Sequence, residues 1–363
     1  MNAKDILRER SLPPICTSDG QPLTDAKAHE SAKAALRDTL EQYAYGRMPP
    51  APESIRFEQL DEEWNPCAGK VKVTYMRAHI ELYGRSFSFP FFAAVPQHHK
   101  KPLPALVYIR FFEPIMGKYL PLEELTDRGY AIFSFCYQDV SSDSDDFTSG
   151  VAPYLCPDRT APDAPGKIAM WAWAASRVMD YVQTREDIDL SHVAVIGHSR
   201  LGKTALLAGG YDERFRYVIS NDSGCLGAAI SRGKEGEKVQ RIGEVFPFWF
   251  CPRFVALKDT PPEQLPFDQH FLLALTPPRT LLIGSAEEDS WADPVSEYCA
   301  LYKTNELYAL YGLRGAILPE DIPSAPFISD AQGNAAYHVR RGTHYMSRED
   351  FNVYLDYIDR QRS

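Results

Sequence analysis

The sequence lacks several features that would have named a chemistry early. Its seven cysteines, Cys16, Cys67, Cys136, Cys156, Cys225, Cys251 and Cys299, are odd in number and scattered, with no CxxC pair. That spacing is foreign to a disulfide framework or a zinc knuckle, and suits free thiols in a reducing compartment. No run of 18 apolar residues exists, so no segment is long enough to span a bilayer as a helix. The opening "MNAKDILRERSLPP" has no apolar core of a secretory leader, which makes a cytoplasmic location the expectation. The formal net charge is −10. Without a basic stripe to release counterions, nucleic acid is not an expected partner. A phosphate loop, a metal-ligand cluster, internal repeats and low-complexity segments are missing too. The oligomeric state is not legible.

What is present is ordinary material for a globular enzyme. Of 363 residues, 44% are apolar and 24% charged, enough for a sizeable core. Aromatics reach 12%, and 28 prolines imply many ordered loops; both fit a carbohydrate-binding surface and equally a plain loop-rich scaffold.

The pattern of elements indicates the fold class. "TDAKAHESAKAALRDTLEQYAYG" predicts a helix capped by Thr24 or Asp25 and ending at Gly46. "MPPAPESI" reads as a joining loop. "KVKVTYMRAHIEL" and "RSFSFPFFAAVP" alternate as an antiparallel pair. "PALVYIRFF" and "GYAIFSFCYQDV" are short apolar runs of the kind buried on both faces of a sheet. "PGKIAMWAWAASRVMDYVQTR" has helical spacing, with one of Trp171 and Trp173 expected in the core. From there strands and helices alternate: "HVAVIG", "RLGKTALLAGGYD", "FRYVISND", "PPRTLLIGSAEED", "DPVSEYCALYKTNELYALYG", "YHVRRGTH" and "REDFNVYLDYIDRQ". Such alternation means an α/β fold, a mostly parallel central sheet with helices on both faces, a three-layer sandwich. The expected organisation is one domain, 1–363, with an N-terminal helical extension at about 1–50 and an inserted region at about 223–279.

Chemistry concentrates at "HVAVIGHSRLGKTALLAGG". Ser199 sits between a strand and a helix with Gly197 before it and Gly202 after it, close to the G-x-S-x-G nucleophile elbow but with the second glycine one residue late. A serine on such a turn is exposed, and the helix N-terminus favours a developing anion. The N–H of Arg200 is the natural oxyanion donor. A serine nucleophile needs a base and an acid, in this fold class in the order Ser, acid, His. His344 lies in a glycine-containing loop before the last helix and is the expected base. His338 reads as structural and His270 as capping or packing. His198 adjoins the serine, but its side chain is expected to point away. Two places suit the acid. One is the loop after "TLLIGS", with Glu287, Glu288, Asp289 and Asp293; the other is Asp222, directly after "FRYVISN". The bland readings are a solvated acidic turn with an Asp293-Pro294 helix start, and a turn residue at Asp222. Arg200 and Lys203 could likewise be solvated helix residues.

"GHSRLGKTALLAGGYDERFRYVISNDSGCLGAAISR" resembles the G-C/H-S-R-x-G-K-x-A signature of the glucuronoyl esterases. "GYAIFSFCYQDVSSDSDDF", "EVFPFWFCPRF", "PFDQHFLLALTPPRTLLIGSAEEDSWADP" and "RRGTHYMSREDF" resemble bacterial members, and the similarity covers roughly residues 100–350. The resemblance implies an α/β-hydrolase fold, no cofactor or metal, and cleavage of esters between (4-O-methyl-)glucuronic acid and alcohols. It implies Ser199 as nucleophile, His344 as base, and an oxyanion contact from the Arg200 side chain. It also implies sugar contacts from Lys203 and Trp291. It leaves the acid at Asp222 or Asp289, since members use either place. Phe248 departs from the polar residue expected in that segment. The expected partner is a small-molecule or oligosaccharide uronate ester. An acetyl xylan esterase on the same triad, a non-catalytic carbohydrate-binding protein and a serine peptidase are the rival readings.

Overall fold

A computed structural model describes residues 1–17, 19–99, 102–111, 120–330 and 332–362. Among them, ten strands form one sheet. They are β1 (Ser54–Glu63), β2 (Val71–Leu82), β3 (Arg85–Pro96), β4 (Leu103–Arg110), β5 (Ala131–Cys136), β6 (Ile188–His198), β7 (Tyr217–Asn221), β8 (Thr280–Ala286), β9 (Phe327–Ile328) and β10 (Ala335–Arg340). The spatial order is β1-β2-β3-β5-β4-β6-β7-β8-β10-β9. The six strands from β5 to β10 run parallel, while β1, β2, β3 and β9 pair antiparallel at the two edges. This is the mostly parallel, helix-covered α/β sheet that the alternation called for, and it fits the α/β-hydrolase fold that the resemblance implies.

Period-two alternation in the central strands explains both layers. Ala105, Val107 and Ile109 face one core, shared with helices Ala26–Leu40, Lys167–Val182, Arg200–Tyr211 and Pro294–Thr304. Leu106 and Tyr108 face the other, shared with helices Leu122–Asp127 and Arg348–Arg362. A strand apolar at every position can be satisfied only by helices on both sides.

Several expectations shift. The antiparallel pair is a three-stranded meander, because β1 begins at Ser54 within the expected joining loop. As an edge strand, β1 buries little, which hid it among charged residues. "GYAIFSFCYQDV" stops being a strand at Cys136 and turns into the short helix Tyr137–Val140. Both Trp171 and Trp173 are buried. Asp25, not Thr24, caps its helix, accepting from the Ala28 N–H at 2.8 Å. The end of "PALVYIRFF", Phe112, lies outside the described residues.

The N-terminal extension and residues 223–279 are stitched to each other. The Tyr45 hydroxyl donates to the Leu226 carbonyl at 2.8 Å, and the Cys251 N–H donates to the Ala44 carbonyl at 2.9 Å. Chain direction reverses across the sheet between β4, which leads to β5, and β6, which leads to β7. In open α/β sheets such a switch point opens a crevice beyond the strands' carboxyl ends, where ligands bind.

Candidate active site

The four strands β6, β7, β8 and β10 end side by side. His198 pairs with Asn221, Asn221 with Gly284, and Gly284 with His338. Residues just beyond these ends therefore converge on one place. They are Ser199 after β6, Asp222 after β7, Asp289 after β8 and His344 after β10.

Ser199 makes the turn from β6 into the helix Arg200–Tyr211 with φ 58° and ψ −126°, a conformation L-residues rarely adopt. Its backbone is held on both sides: its N–H donates to the Asn221 carbonyl at 2.8 Å, and its carbonyl accepts from Gly202 at 2.9 Å and Lys203 at 3.1 Å. A Cβ on Gly197 would lie 2.1 Å from the Leu201 carbonyl oxygen, so only glycine lets the helix start fold back over the strand. A Cβ on Gly202 would lie 3.0 Å from both the Ser220 Oγ and the Ser223 Cβ. The late glycine thus relieves crowding against β7 rather than under the serine. This strained strand-to-helix turn is a nucleophile elbow in shape, with the Arg200 N–H at the first position of its helix, where no intrahelical acceptor exists.

His344 and Asp289, the candidate base and one of the candidate acids, meet across 55 residues of sequence. His344 Nδ1 lies 2.6 Å from Asp289 Oδ2. An ionised carboxylate only accepts, so Nδ1 carries the proton and Nε2 is left to accept one. Asp289 is buried, while the His344 side chain is 43% exposed. Burial works to raise the Asp289 carboxyl; the hydrogen bond and charge of His344 and the Ala292 N–H outweigh it and hold it below its ordinary value.

Asp222 stands nearby in a different state. Its backbone is in a left-handed conformation with φ 44°, and its N–H donates to the Gly284 carbonyl at 2.8 Å. Both carboxyl oxygens are buried without a hydrogen-bond partner. Oδ2 lies 3.6 Å from the Arg340 guanidinium and 3.9 Å from His198 Nδ1. Burial, reinforced by Glu297, Asp289 and Asp350, pushes its carboxyl well above the usual range. Of the two acid candidates, the structure bonds Asp289 to His344 and leaves Asp222 unbonded beside it. Asp293 is otherwise engaged: it caps the helix Pro294–Thr304, accepting from the Ser296 N–H, and accepts from the Glu235 N–H at 2.9 Å.

His198 does not point away from the site. Its ring lies 4.5 Å from that of His344, and Nδ1 is 2.7 Å from the Asn221 Oδ1. Burial, then the nearby His344 charge, push its pKa down to about 3, so it is neutral at pH 7. A carboxyl oxygen of Asp222 and ring nitrogens of His198 and His344 lie within 4.8 Å of one another. His338 and His270 are structural, bonded to Asp350 at 2.7 Å and to the Pro13 carbonyl at 2.9 Å.

Neither Arg200 nor Lys203 is a solvated helix residue. The Arg200 guanidinium pairs with Asp143 and lies 4.8 Å over the Trp249 ring, with Phe246 and Phe111 at 5.6 and 5.7 Å. Asp143 also accepts from the Trp249 indole at 2.7 Å and the Tyr137 hydroxyl at 2.8 Å. Lys203 is nearly closed from solvent and donates to the Ser223 carbonyl. Burial lowers its pKa, and Glu237 is the foremost charge countering that. Trp291 is 54% exposed, and its carbonyl accepts from Lys234 Nζ and the Glu237 N–H, both at 3.0 Å. Phe248 is half-buried against the aromatic cluster. Sequence reading missed Asp143, Trp249 and Tyr137 as a unit. "SSDSDDF" looks like a solvated acidic loop, and a partner 57 residues away leaves no periodic trace.

A family model described as glucuronyl esterase of fungi matches residues 79–312. A carbohydrate esterase of an unidentified prokaryote is 42% identical over 241 residues, 66% of this chain and 55% of its own length. The chain thus spans little more than half of that relative. The 4-O-methyl-glucuronoyl methylesterase of Neurospora crassa is 27% identical over 83% of this chain and 72% of its own. Among solved structures, a glucuronoyl esterase from Solibacter usitatus superimposes with a TM-score of 0.89 at 28% identity, covering 97% of this chain and 98% of its own. A promiscuous CE15 esterase from a marine bacterial metagenome gives 0.86 at 30% identity, with 96% of each chain covered.

Proposed function

This chain belongs to the glucuronoyl esterase family, and from that premise we propose that it hydrolyses esters of (4-O-methyl-)glucuronic acid through Ser199, His344 and Asp289. The observation that carries the assignment is the 2.6 Å bond from His344 to a buried carboxylate, with the His344 ring 4.5 Å from that of His198, the residue before the strained elbow serine. Ser199 Oγ attacks the uronate carbonyl carbon as His344 Nε2 takes its proton. The tetrahedral oxyanion is met by the Arg200 N–H and by the guanidinium that Asp143 and Trp249 hold in place. His344 returns the proton to the departing alcohol. Water, deprotonated by the same imidazole, then splits the acyl-enzyme and releases glucuronate.

Sugar contacts are proposed from Lys203 and Trp291. Lys203 lies one helical turn after the serine, and one of its three N–H groups is used by Ser223. Trp291 offers a flat exposed face beside the Lys234–Glu237 segment. Arg200, Lys203 and Lys234 also suit a product that is a carboxylate.

The test is turnover of methyl and benzyl glucuronate beside a panel of acetylated xylosides. Ser199→Ala and His344→Ala should each cost about 10⁴-fold or more with the fold intact. Retention of over a tenth of the rate by Ser199→Ala would refute the nucleophile. Equal parent efficiency on acetyl esters would favour the acetyl esterase reading, which the promiscuous structural neighbour makes worth measuring. No turnover of any ester would favour a binding protein. A reducing, cytoplasmic setting is also proposed, supported by seven cysteines that are all unpaired; cell fractionation tests it.

A further inference from the structure

One side chain, Arg340, binds three backbone carbonyls of the loop that carries His344. Arg340, the last residue of β10, is buried. Its Nη1 donates to the Arg341 carbonyl at 2.9 Å, and its Nη2 donates to the carbonyls of Thr343, at 3.0 Å, and Tyr345. Those last two carbonyls bracket His344 on either side. The guanidinium is itself fixed. Its Nε donates to Asp350 Oδ2 at 2.8 Å, and Asp350 also accepts from His338 at 2.7 Å and from the Ser347 N–H and hydroxyl at 2.7 and 2.8 Å. Asp350 is fully buried on the helix Arg348–Arg362. The loop is thereby tied to the sheet end and to the last helix at once.

We infer that Arg340 is the positioning residue for the general base. It sets the height and direction of the His344 ring through the backbone on both sides of it, without touching substrate. The loop residues Thr343, His344 and Tyr345 are exposed, so packing alone does little to hold them. The ring itself makes one hydrogen bond, from Nδ1 to Asp289, and lies 4.5 Å from the His198 ring. One bond fixes a distance but lets the ring swing about it; fixing the flanking carbonyls removes that freedom. A planar fork with five N–H groups can serve Asp350 and three carbonyls together, whereas an ammonium has three donors at one point. The same guanidinium lies 3.6 Å from Asp222, so it also places a positive charge beside the unbonded acid.

This inference rests on His344 being the base, so His344→Ala is measured in parallel. Arg340→Lys keeps the charge and removes the fork. With methyl glucuronate it should lower kcat about 10²-fold, the scale of a misplacement of about 1 Å, and leave KM within about threefold. Near-UV circular dichroism should remain native, since a merely structural role would reduce the folded fraction and not the turnover of folded protein. Asp350→Asn frees the guanidinium from its anchor and should lower kcat about tenfold at unchanged KM; it keeps the test open should Arg340→Lys fail to fold. Folded Arg340→Lys or Asp350→Asn turning over within about threefold of the parent, with His344→Ala inactive, overturns the positioning role alone. An active His344→Ala overturns the base assignment and this inference with it.

Discussion

Glu297 sits in the first turn of the helix Pro294–Thr304, fully buried behind the candidate site. Its Oε1 accepts from the Gly224 N–H at 2.8 Å, and its Oε2 accepts from the Ser285 hydroxyl at 2.5 Å. It therefore joins the turn after β7 to the end of β8, the two places that carry Asp222 and Asp289. Burial raises its carboxyl from 4.5 to about 7, although both hydrogen bonds pull the other way. The folded protein thus keeps a proton that the unfolded chain has already released. Stability from this group is whole below about pH 4.5 and falls as pH rises toward 7. The full loss corresponds to about 3 kcal/mol, most of which falls between pH 5 and pH 8. Glu297→Gln keeps the shape; its carbonyl can accept from Gly224 and its amide can donate to the Ser285 oxygen. The variant should gain about 2 kcal/mol on the parent between pH 5 and 8, or about 3 °C in Tm for a chain of this length. Urea unfolding of both proteins at pH 5, 6, 7 and 8 measures this, and titrating groups that do not feel the Glu297 charge cancel in the difference. A difference that stays constant within about 0.5 kcal/mol across that range would refute a buried, proton-holding Glu297.

Three further outcomes follow from the site. Asp289→Asn should cost about 10⁴-fold in kcat by losing the bond that fixes the His344 tautomer, while Asp222→Asn should stay within about tenfold of the parent; steady-state kinetics that reverse this order would make Asp222 the acid. Asp143→Asn removes the carboxylate that Arg200, Trp249 and Tyr137 share, and should lower kcat about tenfold with a native melting profile; an unchanged kcat would separate Arg200 from oxyanion stabilisation. Lys203→Ala should reduce kcat/KM for methyl glucuronate far more than for a simple aryl acetate, and equal losses on both would remove it from sugar recognition.

Local pattern determined much of this protein before any tertiary contact was known. Continuous apolar runs such as "PALVYIRFF" demand burial on both faces, and alternation with amphipathic segments then leaves little but a helix-covered parallel sheet. The Gly197-x-Ser199 turn was legible because its requirement is local: a strand, a helix and a residue small enough to let them fold back within five residues. Chain order and its loop singled out His344, and the structure sets its ring 2.6 Å from Asp289. Strand β1 was not, because an edge strand needs little apolar surface and its charged sequence imitates a loop. The choice between Asp289 and Asp222 was beyond local pattern. Both follow a strand that ends at the same edge, and only the path of the loops decides which carboxylate meets the imidazole and which is left buried and unbonded. The Arg200–Asp143–Trp249 cluster and the Arg340 fork belong to the same class. Their members lie on different strands and loops, or reach backbone carbonyls that have no sequence signature, so only folding brings their charges within bonding distance.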